Sequence, residues 1–385
     1  MYSLTAYGRM VADQGRFGPY RRALEKAVTP GCVVVDLGAG PGVLALLAAK
    51  LGAAKVYAVD PDPSVGLAAE LARANGFGDR VVVVQGLSTR FEPEEPADVV
   101  IADLRGVLPL FGRHLEAMAD ARDRLLAPGG RLIPRRDRLW AVPVAAPDLY
   151  AQHLEGFEGG ALGLDLEPSR RRAAQLFSRV TLGDDAAAAQ PAQWGDIDYR
   201  TVDGPDVRGE GVWTFGGPST LHGLAVWFDA DLDGEEGFSN APGAPALIYG
   251  QAFFPFLEPL PVTRGTTLRA DLSARLVGDD YLWRWTVDLE RPEGDRRRLD
   301  HSTFHGAPLA AQGLARRSAG HVPPDDGAVE VARFLLSELD GSTDQGALAS
   351  ALRGAFPGRF PSDSAALTRV AELVSAIGGL DGKDF

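Results

Sequence analysis

The sequence predicts an α/β chain: a doubly wound parallel sheet, then an antiparallel β-barrel or sandwich, then a small helical, winged-helix-like module. Three observations predict it. Valine-rich runs alternate with Leu/Ala-rich helical patterns between residues 32 and 144, the rhythm of βαβ units. From about Pro143 several short strands with Gly/Pro turns take over, as in antiparallel β-domains. Beyond residue 320 three helical stretches follow one another through short turns.

In chain order, "CVVVDLG" (32–38) is a buried parallel strand by composition, and "VLALLAAKLGA" (43–53) is a helix. "KVYAVD" (55–60) is the second strand, and "SVGLAAELARANG" (64–76) is a helix stopped by glycine. "RVVVVQG" (80–86) and "ADVVIAD" (97–103) are the third and fourth strands. "HLEAMADARDRLLAPGG" (114–130) reads as one helix closed by Pro and Gly, and "RLIPRRDRLWAVPV" (131–144) begins the next strand. Helical pieces at "LYAQHLEGFEGG" and "EPSRRRAAQLFSRV" precede the β-rich part, which runs from "GVWTFGG" through "YLWRWTVDLER".

The 385 residues suffice for two or three domains. The expected division is an N-terminal helix (1–30), a first α/β domain (31–143), a β-domain with a helical arm at about 147–180 (144–320), and the helical module (321–385). A net charge of −13 argues against non-specific nucleic-acid binding, which requires Lys and Arg to neutralise phosphates. The single cysteine, Cys32, reads as a buried core thiol, and no Cys/His cluster has metal-ligand spacing. "HSTFHG" (301–306) has two histidines without a following carboxylate, and the two "RRR" runs read as solvated charge. With no 18-residue apolar segment and no apolar run of a signal peptide, a cytoplasmic protein is expected.

"VVVDLGAGPG" puts Gly38, Gly40 and Gly42 between a strand and a helix. Glycines there let the backbone approach a ligand at a helix N-terminus. Asp36 precedes the loop. Asp60 ends the next strand, about 20 residues beyond, where an acid can accept from both hydroxyls of a ribose. "VVQGLS" follows the third strand, where an adenine edge would lie, bringing in Ser88. A dinucleotide fingerprint is the structural competitor, but its G-x-G-x-x-G spacing is not the G-A-G-P-G found here.

The loop resembles D-x-G-x-G-x-G of class I S-adenosylmethionine methyltransferases. "YGRMVADQGRFGPY" (7–20) reads as one amphipathic helix carrying Met10, Asp13, Arg16 and Tyr20 on one face. It resembles the H-x-x-M-L-x-D-x-x-R-T-x-x-Y helix of protein arginine methyltransferases. "AAKLGAAKVYAVD", "LLAPGGRLIPRRDRLWAVPV" and residues 237–268 extend the resemblance over about 7–290. It implies a Rossmann-like methyltransferase sheet, S-adenosyl-L-methionine as cofactor with S-adenosyl-L-homocysteine as product, and a homodimer joined through the 147–180 arm. It implies further that the helix bearing Met10 folds over the cofactor. Arg16 would pair with the methionine carboxylate, Asp36 with the amino-acid end and Asp60 with the ribose. The family acid that contacts adenine aligns with Thr89.

The resemblance fails at the acceptor. The family grips a guanidinium with two glutamates; here their positions hold Asp103 and Gly112. The family's T-H-W is Leu247-Ile248-Tyr249, and its N-terminal helix His is Tyr7. The preferred reading is N-methylation of an amine on a peptide or small molecule, with Asp103 as acceptor of its hydrogen bond and Tyr7, Tyr249 and His114 completing the site. The alternatives are arginine methylation with a rearranged site, O- or C-methylation of a small molecule, or an inactive cofactor-binding scaffold. Asp103 could also simply cap the following turn. "FLLSELDGSTDQGALASALRGAFPGRF" loosely resembles peptide-binding modules of enzymes that modify ribosomal peptides, which would let the tail deliver a leader-bearing substrate.

Overall fold

β-Branched residues dominate the first strands; Val33–Leu37 and Lys55–Asp60, inside the sheet, are buried almost throughout because helices cover both faces, while Val81–Gln85 at the sheet edge is only partly buried. The computed structural model describes residues 3–157, 163–308, 318–322 and 327–378. Two helices, α1 (Leu4–Ala12) and α2 (Gln14–Ala27), lead into β1 (Val33–Leu37), which is buried at all five positions. Then come α3 (Val43–Lys50), β2 (Lys55–Asp60), α4 (Gly66–Ala74), β3 (Val81–Gln85) and β4 (Ala97–Ala102). Helix α5 (His114–Asp120) and β5 (Leu126–Ile133) complete this part. The parallel sheet has strand order β3-β2-β1-β4-β5.

That order fixes where a ligand can sit. The chain builds outward from β1 to β3, then crosses back to place β4 on the other side of β1. The crevice beyond the carboxyl ends of β1 and β4 is therefore the topological switch point. Asp36, the glycine loop and Asp103 all lie at this end, and Asp60 ends the adjacent β2.

Two expectations need correction here. The stretch 114–130 is not one helix: α5 stops at Asp120, a wide π-type turn carries the chain to Leu125, and β5 already begins at Leu126. The Pro128-Gly129-Gly130 segment fits in the strand because the pairing slips there, from Ala97–Leu126 to Val99–Arg131. A slip of this kind tolerates a residue without an N–H and glycines without side chains. The stretch 131–144 divides at Pro134, with β5 in the parallel sheet and β6 (Arg136–Val144) in an antiparallel one.

The β-domain consists of two antiparallel sheets. One has order β7-β12-β10-β6-β8, made of β7 (Ser178–Val180), β12 (Gln251–Val262), β10 (Ser219–Asp231), β6 and β8 (Ala192–Asp198), with β11 (Gly237–Ser239) beside β10. The other is β15-β14-β13-β9, made of β15 (Arg296–Ser302), β14 (Asp280–Glu290), β13 (Thr267–Val277) and β9 (Val207–Thr214). Phe254, Trp283 and Trp285 fill the space between them, in tilted and edge contacts of 5.0–5.2 Å. Within the 147–180 segment lie α6 (Pro147–Leu154) and α7 (Glu167–Ala173); residues 158–162 fall outside the described set. A short α8 (Thr303–Gly306) follows β15.

His301 of "HSTFHG" stacks on Trp285 at 5.0 Å, donates from Nδ1 to the Trp285 carbonyl and accepts the Leu257 N–H at Nε2. Burial pushes it down to about 4, so it is a neutral staple between strands. Among the described residues no cluster of His, Cys, Asp and Glu could hold a metal ion, and no helix is long and apolar enough to cross a membrane.

The contacts divide the chain into Met1–Ala307 and Pro308–Phe385. In the second unit α9 (Ala328–Glu338), α10 (Gln345–Ala355) and α11 (Asp363–Gly378) enclose Val331, Leu335, Leu348, Leu352 and Val370. The Asp340 carboxylate accepts the backbone N–H groups of Ser342 and Thr343 at 2.9 and 2.8 Å, which builds the D-G-S-T turn.

Candidate functional site

The glycine loop leaves β1 and enters α3 in left-handed backbone conformation. At Gly40, φ +49°, a Cβ would lie 2.7 Å from the Tyr7 ring. Tyr7 of α1 thus rests on the loop, and its hydroxyl is 3.2 Å from Ser64 Oγ. Asp60 is fixed from below, one oxygen accepting the Gly40 N–H and the other the Asp62 N–H, both at 2.8 Å. Two such bonds leave lone pairs free to accept further hydroxyls. Asp36 accepts the Ala45 N–H at 2.9 Å in the first turn of α3. Burial pushes its carboxyl up to about 8, which the nearby Asp60 and Asp103 charges reinforce against the Ala45 bond.

The expected single helix over 7–20 is broken at Asp13. Its side chain caps α2 by accepting the Arg16 N–H, and its other oxygen accepts the Ile248 N–H at 2.7 Å. The break places Met10 and Arg16 on different helices, yet Arg16 Nη1 reaches back to the Met10 carbonyl at 3.0 Å. Asp13 also ties the helix pair to the β-domain just before Tyr249.

Beneath this cap lies Asp103, whose side chain is 5% exposed. It is held by Arg16 through Nε and Nη2, by Tyr249 Oη at 2.7 and 2.8 Å from its two oxygens, and by Arg105 Nη1 at 3.2 Å. Burial alone would raise the Asp103 carboxyl; Arg16, Arg105 and the Tyr249 hydrogen bond outweigh it and hold it below the usual range. Asp103 is consequently an ionised hydrogen-bond acceptor with little affinity for a proton. Burial, with the Asp103 charge, keeps the Tyr249 phenol protonated, well above its ordinary value.

Of the residues singled out in the sequence, Arg16, Asp103 and Tyr249 meet directly, and Tyr7, Gly38, Gly40, Asp36 and Asp60 surround the adjoining loop. Leu104 makes the join: a Cβ on Gly38 would lie 2.0 Å from its Cδ2. Ser88 and Thr89 stand on the turn after β3, where the Ser88 carbonyl accepts from Arg124 and Thr89 is exposed. His114 lies elsewhere. It is buried on α5, with Nε2 2.9 Å from Tyr199 Oη, which in turn donates to Asp137 at 2.6 Å. Burial and the Arg105 charge push His114 down to about 3, so it is a neutral link in that network. Gly112 sits in a turn at φ +50° and brings no carboxylate to Asp103.

Sequence reasoning missed Arg105 and Asp137. Arg105 is fully buried and forms a bidentate pair with Asp137, at 2.9 and 2.8 Å, and donates to Tyr20 Oη at 2.6 Å. The one signal was an arginine inside an apolar run, two residues after Asp103. Asp137 was hidden among the arginines of "RRDRL". The donor set of this crevice fits a nucleoside with a carboxylate end: Arg16 for the carboxylate, the glycine loop for close approach, and Asp60 for a diol.

Comparison with known proteins places the chain among methyltransferase-like sequences and folds. Residues 21–134 match the family model described as ribosomal protein L11 methyltransferase. The chain is 31% identical over 236 residues to a probable protein arginine N-methyltransferase 6 of Arabidopsis thaliana, covering 58% of this chain and 54% of that protein. It is 32% identical over 281 residues to a probable histone-arginine methyltransferase CARM1 of Oryza sativa subsp. indica, covering 68% and 53%. The chain thus spans about half the length of these curated relatives. Among solved structures, it resembles the Trypanosoma brucei PRMT1 enzyme-prozyme complex with AdoHcy (TM-score 0.70, 21% identity, 77% of this chain and 97% of that one). It likewise resembles Arabidopsis thaliana protein arginine methyltransferase 10 (TM-score 0.69, 22% identity, 78% and 98%).

Proposed function

We propose, from the premise that this chain is a protein-arginine-methyltransferase-like protein of the class I S-adenosylmethionine-dependent type, that it N-methylates an amine on a peptide or small molecule. S-adenosyl-L-methionine supplies an electrophilic methyl group on a sulfonium. Arg16 takes the methionine carboxylate, Asp36 the amino end, and Asp60 the ribose hydroxyls, while α1 with Met10 and Tyr7 closes over the loop. Ser88 and Thr89 stand toward the adenine side. A cofactor carboxylate competes with Asp103 for the Arg16 guanidinium, which returns lone pairs of Asp103 to an acceptor. Asp103 then orients an N–H of the incoming amine, with Tyr249 fixing the carboxylate in place.

The observation that carries this reading is a single ionised carboxylate, Asp103, beside the glycine loop at the switch point, with a glycine where a second acid would stand. One acceptor suffices to orient an amine and does not enclose a guanidinium. His114, given its neutral link to Tyr199, supports the site from behind.

The test is S-adenosylhomocysteine release against a panel of peptide and small-molecule amines. Asp103→Asn should lower kcat about 100-fold, as for loss of one preorganised polar group, with S-adenosylhomocysteine affinity kept within about threefold. Equal losses in both would make Asp103 a cofactor or structural residue. The relatives' names favour a second reading, arginine methylation; methylated guanidine on an arginine peptide, with the amines untouched, would establish it. Delivery of a leader-bearing substrate by the C-terminal unit, and a cytoplasmic setting, belong to the same proposal.

A further inference from the structure

The acid that ends β2 begins a chain of contacts that closes on itself. One Asp60 oxygen accepts the Gly40 N–H and the other the Asp62 N–H, both at 2.8 Å. Asp62 in turn accepts the Ser64 N–H at 2.8 Å, capping a single helical turn at Pro63–Val65. Ser64 Oγ lies 3.2 Å from Tyr7 Oη, and the Tyr7 ring rests over Gly40, where the circuit began. In "DPDPS" two prolines, Pro61 and Pro63, alternate with the two acids. They restrict the backbone at both positions, so Ser64 is presented at a fixed place.

The helix that bears Tyr7 is lightly held. None of the nine residues of α1 is buried, and Leu4 is 64% exposed. Its join to α2 is the non-helical Asp13, at φ −72° and ψ 89°, and close to that join Arg16 donates to the Met10 carbonyl. Segments with few buried apolar contacts are the ones that open locally. Polar contacts therefore matter more than usual in keeping α1 on the loop, and Tyr7–Ser64 lies beyond Met10 from the join. Within the circuit it is also the one hydrogen bond made between two side-chain hydroxyls, the others being to backbone N–H groups. A bond of this kind shifts an opening equilibrium several-fold. That is enough to set how long α1 stays down and too little to lock it.

We propose that Ser64 is a positioning residue for the cofactor: its hydroxyl fastens Tyr7, Tyr7 holds α1 over the glycine loop, and this fastening sets how long an S-adenosyl nucleoside stays in the crevice. This rests on the reading that the crevice takes such a nucleoside. With Asp60 on the ribose hydroxyls, release requires the circuit to open, and it opens at Tyr7–Ser64 as α1 lifts about Asp13. Ser64 acts through Tyr7 and needs no contact with the nucleoside.

Tritiated S-adenosylhomocysteine, bound to the full chain and chased with excess unlabelled nucleoside, reads the release rate. Ser64→Ala should release it about fivefold faster than wild type, as for one lost hydrogen bond. Ser64→Thr, which keeps the hydroxyl, should release it at the wild-type rate. In a Tyr7→Phe background the further change Ser64→Ala should add nothing, since the contact is already broken. Trypsin cleavage after Arg9, an exposed residue of α1, should be faster in Ser64→Ala than in wild type with the nucleoside bound. Unchanged release or unchanged cleavage in Ser64→Ala overturns the proposal. So does Ser64→Thr releasing as fast as Ser64→Ala, or additive effects of Tyr7→Phe and Ser64→Ala, which would put Ser64 on the nucleoside itself. Any of these with the nucleoside retained by wild type sinks the fastening alone, whereas no retention by wild type sinks the methyltransferase reading and this inference together.

Discussion

Asp36 shows how one buried acid couples the cofactor loop to stability. Its folded-state pKa, about 8, lies above the value near 3.9 of an unfolded chain. The native state therefore binds the proton more tightly than the unfolded state does. That stabilisation is complete below about pH 4 and is lost as pH rises through about 8. Asp36→Asn keeps a carbonyl oxygen for the Ala45 N–H and cannot ionise. Melting temperatures should fall from pH 6 to pH 9 in the wild type and fall less in the variant. Parallel pH profiles would show that Asp36 is ionised in the fold at neutral pH. Asp103 is the opposite case, an acid whose cationic neighbours keep it charged, which suits it to accept a hydrogen bond and not to remove a proton.

At the scale of elements, the join between α1 and α2 does the positioning. Asp13 caps α2 and holds the Ile248 N–H, so one side chain sets the helix start and its attachment to the strand region bearing Tyr249. Asp13→Ala should destabilise the fold by about 1–2 kcal/mol, the usual cost of a lost cap, and loosen Arg16 from Asp103. Urea unfolding checks the first. An unchanged midpoint would mean the cap contributes nothing. The strands β1 to β4 were legible because a valine run bounded by Gly and Asp admits few alternatives. The break at Asp13 was not, since Met10 and Arg16 keep helical spacing across it. The early start of β5 was not, because a Pro-Gly-Gly segment inside a strand depends on the slipped pairing with β4. The cofactor-loop residues were read from local spacing. Arg105 was out of reach, since its pairing depends on Asp137 and Tyr20, which only the tertiary fold brings to it.

Across the Met1–Ala307 unit, topology and chemistry converge: the strand order places the switch point between β1 and β4, and the glycine loop, Asp103 and the α1–α2 cap all gather there. We propose that the 147–180 segment pairs two copies of the chain. Leu164 and Leu176 within it, and Phe304 of α8, are exposed apolar side chains that such pairing would cover. Sedimentation at micromolar concentration should give twice the chain mass, and Leu176→Asp should lower it; a monomeric wild type contradicts the dimer. Uptake of an S-adenosyl nucleoside by the crevice, with Arg16 on its carboxylate, is decided by calorimetric titration of S-adenosylhomocysteine into the full chain and into Arg16→Ala. Saturable one-to-one uptake is expected for the wild type, with affinity weaker at least tenfold, or about 1.4 kcal/mol, in the variant. No uptake by the wild type, or equal affinity in the two, would contradict it.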